Sequence, residues 1–107
     1  MKNFVRFSLI AAMAGGMASI AVQAQDAADT YNNKCASCHG PDGAGKTAKG
    51  RKLKVKDVHE TSAKMSAAEM ATIVEKGKGV DMDAYGPQLN KAQIAALVEY
   101  YRGLAKK

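Results

Sequence analysis

The run Cys35-Ala36-Ser37-Cys38-His39-Gly40 decides how this sequence is read. It holds both cysteines of a 107-residue chain, and His59 is the only other histidine. A disulfide between residues so close closes a tiny loop and stabilises a fold little, because the entropy taken from the unfolded chain grows with loop length. A structural zinc site needs two more ligands at matching spacing, which one distant histidine does not supply. A thioredoxin-like dithiol needs a βαβ surround, and none is legible on either side of the motif. Covalent haem attachment meets all of these constraints. On one helical turn, thiols three residues apart reach the two vinyl groups along one haem edge, and the adjacent imidazole can turn onto the iron from the same side. A local disulfide or redox dithiol is the alternative.

Upstream of the motif the chain opens with an address. Lys2 and Arg6 form a short basic region, residues 7–20 carry no charge, and Val22-Gln23-Ala24 offers small side chains at the −3 and −1 positions of a cleavage site. Residues 1–24 are therefore expected to be a secretory signal peptide, leaving residues 25–107 as one domain in the periplasm. An uncleaved N-terminal anchor is the other possibility; once cleaved, the chain has no stable membrane insertion. No twin-arginine pair is present, so export in an unfolded state is expected. Of the 16 basic and 10 acidic residues, the signal removes two basic ones, and the formal charge of +6 falls to about +4. Both Phe leave as well, and with no Trp in the chain four Tyr become the only aromatics. So small a domain with so few large apolar side chains leans on a disulfide, a metal or a cofactor.

Three main helices are expected, joined by long loops. Asp26 or Asp29 caps the first, which carries Ala27, Tyr31 and Cys35 on one face and stops at Gly40-Pro41. Residues 40–50 read as a glycine-rich loop whose spacing is wrong for a phosphate cradle. Residues 51–58 alternate weakly and read as an extended segment or loop. Ser66-Ala67-Ala68-Glu69 is a capping box opening a second helix with Met70, Ile73 and Val74 on its buried face and Gly77 at its end. Asn90 to Gln93 starts the last helix in a similar way, followed by Ile94, Leu97, Val98 and Tyr101 at helical spacing, with Tyr100 and Leu104 widening the stripe. Loops this long in so small a domain argue for a function or a ligand.

In this order of pieces the sequence resembles a class I c-type cytochrome over essentially all of residues 25–107. The attachment motif is common to all c-type classes; the downstream methionine and the closing helix Ile94 to Leu104 select this one. The resemblance implies an all-α small cytochrome c fold wrapped around one covalent haem c. Thioethers from Cys35 and Cys38 would hold it, with His39 the proximal iron ligand and a methionine the distal one, and Tyr85 and Leu53 in the haem pocket. Such a protein carries single electrons between larger redox proteins, because thioether sulfur favours ferrous iron and raises the potential. No catalytic acid–base constellation is present, so an enzyme is not expected.

Met82 is the expected distal ligand, since it lies in a Gly-punctuated loop just before the last helix. Met70 sits on an apolar stripe and reads as core filler; Met65 precedes a helix cap and can line the pocket. The family's distal loop typically reads Met-Pro-Ala-Tyr or Met-Pro-Ala-Phe, and Met82-Asp83-Ala84-Tyr85 departs from it at Asp83, which should loosen the loop. His59 is the competing ligand, and bis-histidine ligation would lower the potential. The family also often fixes the proximal ring by a hydrogen bond to a prolyl carbonyl. Pro41 is the only nearby proline and Ala48 stands where relatives commonly carry one, so the acceptor for His39 is left open.

Lys46, Lys49, Arg51, Lys52, Lys54 and Lys56 crowd positive charge into one segment. It reads either as a solvated loop or as a docking patch for an acidic redox partner. Nucleic acid is not expected, because no aromatics interleave these lysines. The leading expectation is a monomeric periplasmic electron carrier. The alternatives are a haem enzyme subunit or a ligand-binding or sensing cytochrome with a labile sixth position.

Overall fold

The computed structural model describes residues 24–107, so all but the last residue of the expected export signal lies outside the described residues. Helix α1 covers residues 24–34, followed by α2 (Ala36–His39), α3 (Ala48–Lys52), α4 (Val58–Lys64), α5 (Ala67–Lys76) and α6 (Lys91–Gly103). A 3-10 turn, Leu104–Lys106, closes the chain. Among the described residues there is no strand, only an isolated antiparallel bridge between Lys78 and Met82. The all-α expectation holds.

Three details of the sequence reading are corrected. Asp26 and Asp29 do not cap α1, because the helix has already begun by residue 24; Asp29 instead accepts a long i,i+4 hydrogen bond from Gln25 (3.4 Å). The glycine-rich loop ends at Thr47, whose side chain accepts from the Gly50 N–H (2.9 Å) and starts α3. The supposed extended stretch is bracketed by helix, since Lys52 closes α3 and Val58 opens α4. At α4 the Asp57 carboxylate accepts from the His59 N–H (2.8 Å). In both places a side-chain cap satisfies orphan backbone donors and outweighs weak alternation.

The longer helices follow the signals in the sequence. Both capping boxes close as expected, Ser66 with Glu69 at α5 and Asn90 with Gln93 at α6. Gly77 ends α5 at φ +76°. Helix α6 is the spine, packing on α5, on α4 and on the face of α1 that carries Ala27 and Tyr31. Two small clusters make the core. One is Tyr31, Val58, Leu97 and Leu104; the other is Met70, Ile94 and Val98, with Val74, Leu89 and Tyr101 touching both. With Ala27, these are the only buried hydrophobic residues among those described. Many remaining apolar side chains face an internal cavity instead of each other.

Candidate functional site

The motif is set by a break in the first helix. At Cys35 the chain leaves regular helix for one residue, and α2 resumes as the Cys38 and His39 N–H groups both donate to the Cys35 carbonyl (3.2 and 3.0 Å). Gly40 then ends α2 at φ +83°, a left-handed conformation natural for glycine. The Tyr31 hydroxyl donates to the Gly40 carbonyl (2.6 Å), tying the end of the motif back to α1. Thr47 does the same from the other side, donating to the carbonyls of Ser37 (2.7 Å) and Cys38 (3.3 Å). Gly50 of α3 lies against this segment so closely that a Cβ there would collide with the carbonyl oxygens of Cys38 and Gly45.

The loop before α6 hangs from the end of α5. The Lys78 N–H donates to the Met82 carbonyl (2.9 Å), the Met82 N–H to the Lys78 carbonyl (3.3 Å), and Tyr85 and Gly86 donate to the carbonyls of Val74 (2.9 Å) and Glu75 (3.0 Å). These bonds carry Met82 and Tyr85 inward without the proline that relatives place after the methionine.

A cavity of about 360 Å³ lies between these walls. Cys35, Cys38, His39, Leu53, Met82 and Tyr85, all named from the sequence, line it together. So do Met65 and Met70, and the three methionines past the motif share one space. Met70 is spoken for: it is buried on Ile94 and Val98, and its Sδ lies 3.8 Å from Arg102 Nη1, which also donates to the Met65 carbonyl (2.9 Å). His59 does not line the cavity; its ring is exposed and pairs through Nδ1 with Asp57 (2.7 Å). The basic run divides. Lys49, Lys54 and Lys56 face the cavity while Lys46, Arg51 and Lys52 do not, although all six are exposed. Lys54 is the one non-glycine residue at positive φ (57°) among those described, in the turn that brings Leu53 to Lys56 to the cavity.

The electrostatics distinguish this motif from a reactive dithiol. Burial pushes the Cys35 thiol up to about 11, whereas redox-active cysteines have lowered values that expose a thiolate at neutral pH. Burial lowers the His39 value and keeps its imidazole neutral, the form that ligates metals. The His39 Nδ1 is shut off from solvent with no hydrogen-bond partner among the described residues. Both the donor set and the lining suit haem c: two thiols, an imidazole, thioethers, apolar walls, and lysines whose charge complements a porphyrin's carboxylates.

Among the contributors that escaped the sequence reading, two differ in kind. Thr61 joins the cavity wall and hydrogen-bonds the Tyr101 hydroxyl (3.0 Å), and Gly50 permits the close packing behind Cys38. Asp57-Val58-His59-Glu60 was the available signal for the first, since an N-cap followed by Glu at N3 opens the helix that carries Thr61. Nothing local signals the second, which depends on a contact between separate elements.

A family model described as "Cytochrome C oxidase, cbb3-type, subunit III" matches residues 22–100. No curated protein and no solved structure matches the chain.

Proposed function

The chain belongs to this family, which makes it a c-type cytochrome and its chemistry haem-based electron transfer, and on that premise we propose that it is an exported one-electron carrier. A signal at residues 1–24 would deliver residues 25–107 to the periplasm as a single monohaem domain, monomeric and shuttling between larger redox proteins. The observation that carries the proposal is the convergence of Cys35, Cys38, His39 and Met82 on one cavity.

In this reading Cys35 and Cys38 would hold the porphyrin through thioethers, and His39 and Met82 would ligate its iron. A haem bound here would supply an iron able to take up and release one electron. The protein's share is to exclude water with Leu53, Val55, Ile73 and Val74, to present neutral imidazole and soft sulfur, and to hold both in place through reduction and oxidation. Met82 is favoured over Met65 and Met70 because its loop is not committed to the Arg102 cluster. Among the described residues no helix is long and apolar enough to cross a membrane.

The outward charges of Lys46, Arg51 and Lys52 fit brief docking to an acidic partner surface, which charge steers quickly without holding it. A bimolecular reduction rate that does not change with ionic strength would count against this docking.

The deciding experiment is a reduced-minus-oxidised visible spectrum of protein produced with haem-attachment machinery and then denatured to strip any non-covalent haem. With pyridine in alkali supplying the iron ligands after denaturation, the narrow α-band of a thioether-bound haem is expected; its absence overturns the proposal. Rapid carbon monoxide binding to the native ferrous protein at neutral pH would replace the carrier with a ligand-binding cytochrome whose sixth position is labile.

A further inference from the structure

One buried polar atom of the motif, His39 Nδ1, has no hydrogen-bond partner among the described residues. The backbone carbonyls of the motif bond to other groups: Ser37 and Cys38 accept from Thr47, His39 accepts from the Gly45 N–H (2.8 Å), and Gly40 accepts from Tyr31 and from the Gly43 N–H (3.1 Å). The only prolines in the chain are Pro41 and Pro87. A ring with no hydrogen bond at its outer nitrogen is free to turn about its last side-chain bond unless packing stops it.

Packing is present, and it comes from Tyr101. Its ring meets the His39 ring edge-to-face, with centroids 5.3 Å apart and planes at 71°. The far end of Tyr101 is tethered as well. Its hydroxyl lies 3.0 Å from Thr61 Oγ1, and Thr61 Oγ1 lies 3.1 Å from the Asp57 carbonyl. Either hydroxyl can donate in the contact between Tyr101 and Thr61, and both directions tether the Tyr101 ring to helix α4. A second ring, Tyr31, stands 6.2 Å from Tyr101 at 32°. Tyr101 is thus held at both ends, by helix α4 at its hydroxyl and by the His39 and Tyr31 rings along its body.

We propose that Tyr101, tethered by Thr61, is the positioning residue that sets the plane of the His39 imidazole, in place of a hydrogen bond to its outer nitrogen. The proposal rests on His39 being the proximal iron ligand. It has an electronic corollary: an imidazole whose N–H has no acceptor gives less electron density to the iron, so the ferric state is less stabilised than in a protein that supplies one.

The test uses the haem-loaded protein. In the ferric state the order and spread of the haem-methyl proton shifts report the orientation of the axial ligands, which stability alone does not move. Tyr101→Leu should reorder the shifts and displace the reduction potential. Tyr101→Phe and Thr61→Val, which keep the shape and cut only the tether, should each produce a smaller change of the same sense, and the double variant should change no more than either alone. A folded Tyr101→Leu protein with the wild-type shift order overturns the proposal. Should Tyr101→Leu not fold, wild-type shifts in both Tyr101→Phe and Thr61→Val overturn it. So does a scalar coupling from the His39 Nδ1 proton to a backbone carbonyl in the labelled ferrous protein. Failure of the underlying reading is seen separately, as a wild-type low-spin spectrum in His39→Ala.

Discussion

The two walls of the cavity are built by different means. The wall that carries the cysteines and His39 is interlocked in three dimensions. Tyr31 and Thr47 bond its carbonyls from outside, Gly50 presses against its backbone, and the Val58 N–H reaches across to the Gly43 carbonyl (2.9 Å). The wall that carries Met82 hangs from the end of one helix by backbone bonds, its side chains add only exposed bonds to α1 (Tyr85 hydroxyl to the Lys34 carbonyl, 3.3 Å; Lys34 Nζ to Gln88, 3.0 Å), and its tip, Val80, is 97% exposed. Interlocked segments yield all at once, and a segment suspended from a helix end can move while the rest stands. The first wall therefore sets whether the fold exists, and the second tunes what the site does.

The largest effect should come from removing what both walls enclose. Half-buried Leu53, Val55, Met65, Ile73, Val74 and Met82 face the cavity, and the core behind them is small. Protein made without haem should lack a cooperative thermal transition and show no fixed aromatic signal in near-ultraviolet circular dichroism. A sharp two-state transition in the haem-free chain would show that the walls stand by themselves.

Next come two glycine substitutions, one in each wall. Gly50→Ala places a methyl against the backbone carbonyl oxygens of Cys38 and Gly45. It should cost roughly 3 kcal/mol in urea unfolding of the haem-loaded protein. Gly77→Ala forces a side chain into the left-handed region at φ +76°, with its Cβ 2.7 Å from the Met82 carbonyl oxygen. The cost should be smaller, about 1–2 kcal/mol. Its signature should lie elsewhere: the near-infrared sulfur-to-iron charge-transfer band of the ferric protein should weaken in Gly77→Ala and persist in Gly50→Ala. Equal loss of the band in both would erase the distinction between the walls.

The same contrast explains how much could be read in advance. Cys35, Cys38 and His39 carry their chemistry in spacing, and Ser66, Glu69, Asn90 and Gln93 carry their helix starts in a four-residue pattern, so both were legible. Met82 could be singled out because loop glycines and a following helix surround it. Helices α3 and α4 were missed because each depends on one cap preceding a short, lysine-rich or polar run with no apolar period. The division of the basic run into cavity-facing and outward lysines was beyond reach, since it depends on how the turn at Lys54 bends. The Tyr101 contact to His39 joins residues far apart in sequence, and an apolar stripe on a helix does not say which side chain meets a ligand.

Acid should loosen the helix from which the methionine wall hangs. The Ser66 backbone N–H and hydroxyl hold the Glu69 carboxyl below its ordinary value. A depressed value in the folded state contributes stability that is complete above the unfolded value, near 4.3, and is lost as pH falls through the folded one. Glu69→Gln should therefore flatten the stability of the haem-loaded protein below about pH 5. An unchanged acid limb in that variant would remove Glu69 from the account. The group is exposed, so the effect should be smaller than either glycine substitution.

The smallest effect, and the only stabilising one, should come from giving the methionine wall the proline it lacks. The Asp83 N–H makes no hydrogen bond among the described residues, and Asp83 is not at positive φ. Asp83→Pro therefore removes no donor in use and narrows the unfolded ensemble, a gain of up to about 0.5–1 kcal/mol. Proline also steers the residue before it toward extended backbone, and Met82 already pairs with Lys78 in a bridge of that kind. The variant should bind carbon monoxide more slowly in the ferrous state and keep its charge-transfer band to higher temperature. Faster carbon monoxide capture would mean that the backbone ladder to α5 already holds Met82 better than proline can, and that Asp83 is part of what keeps it there.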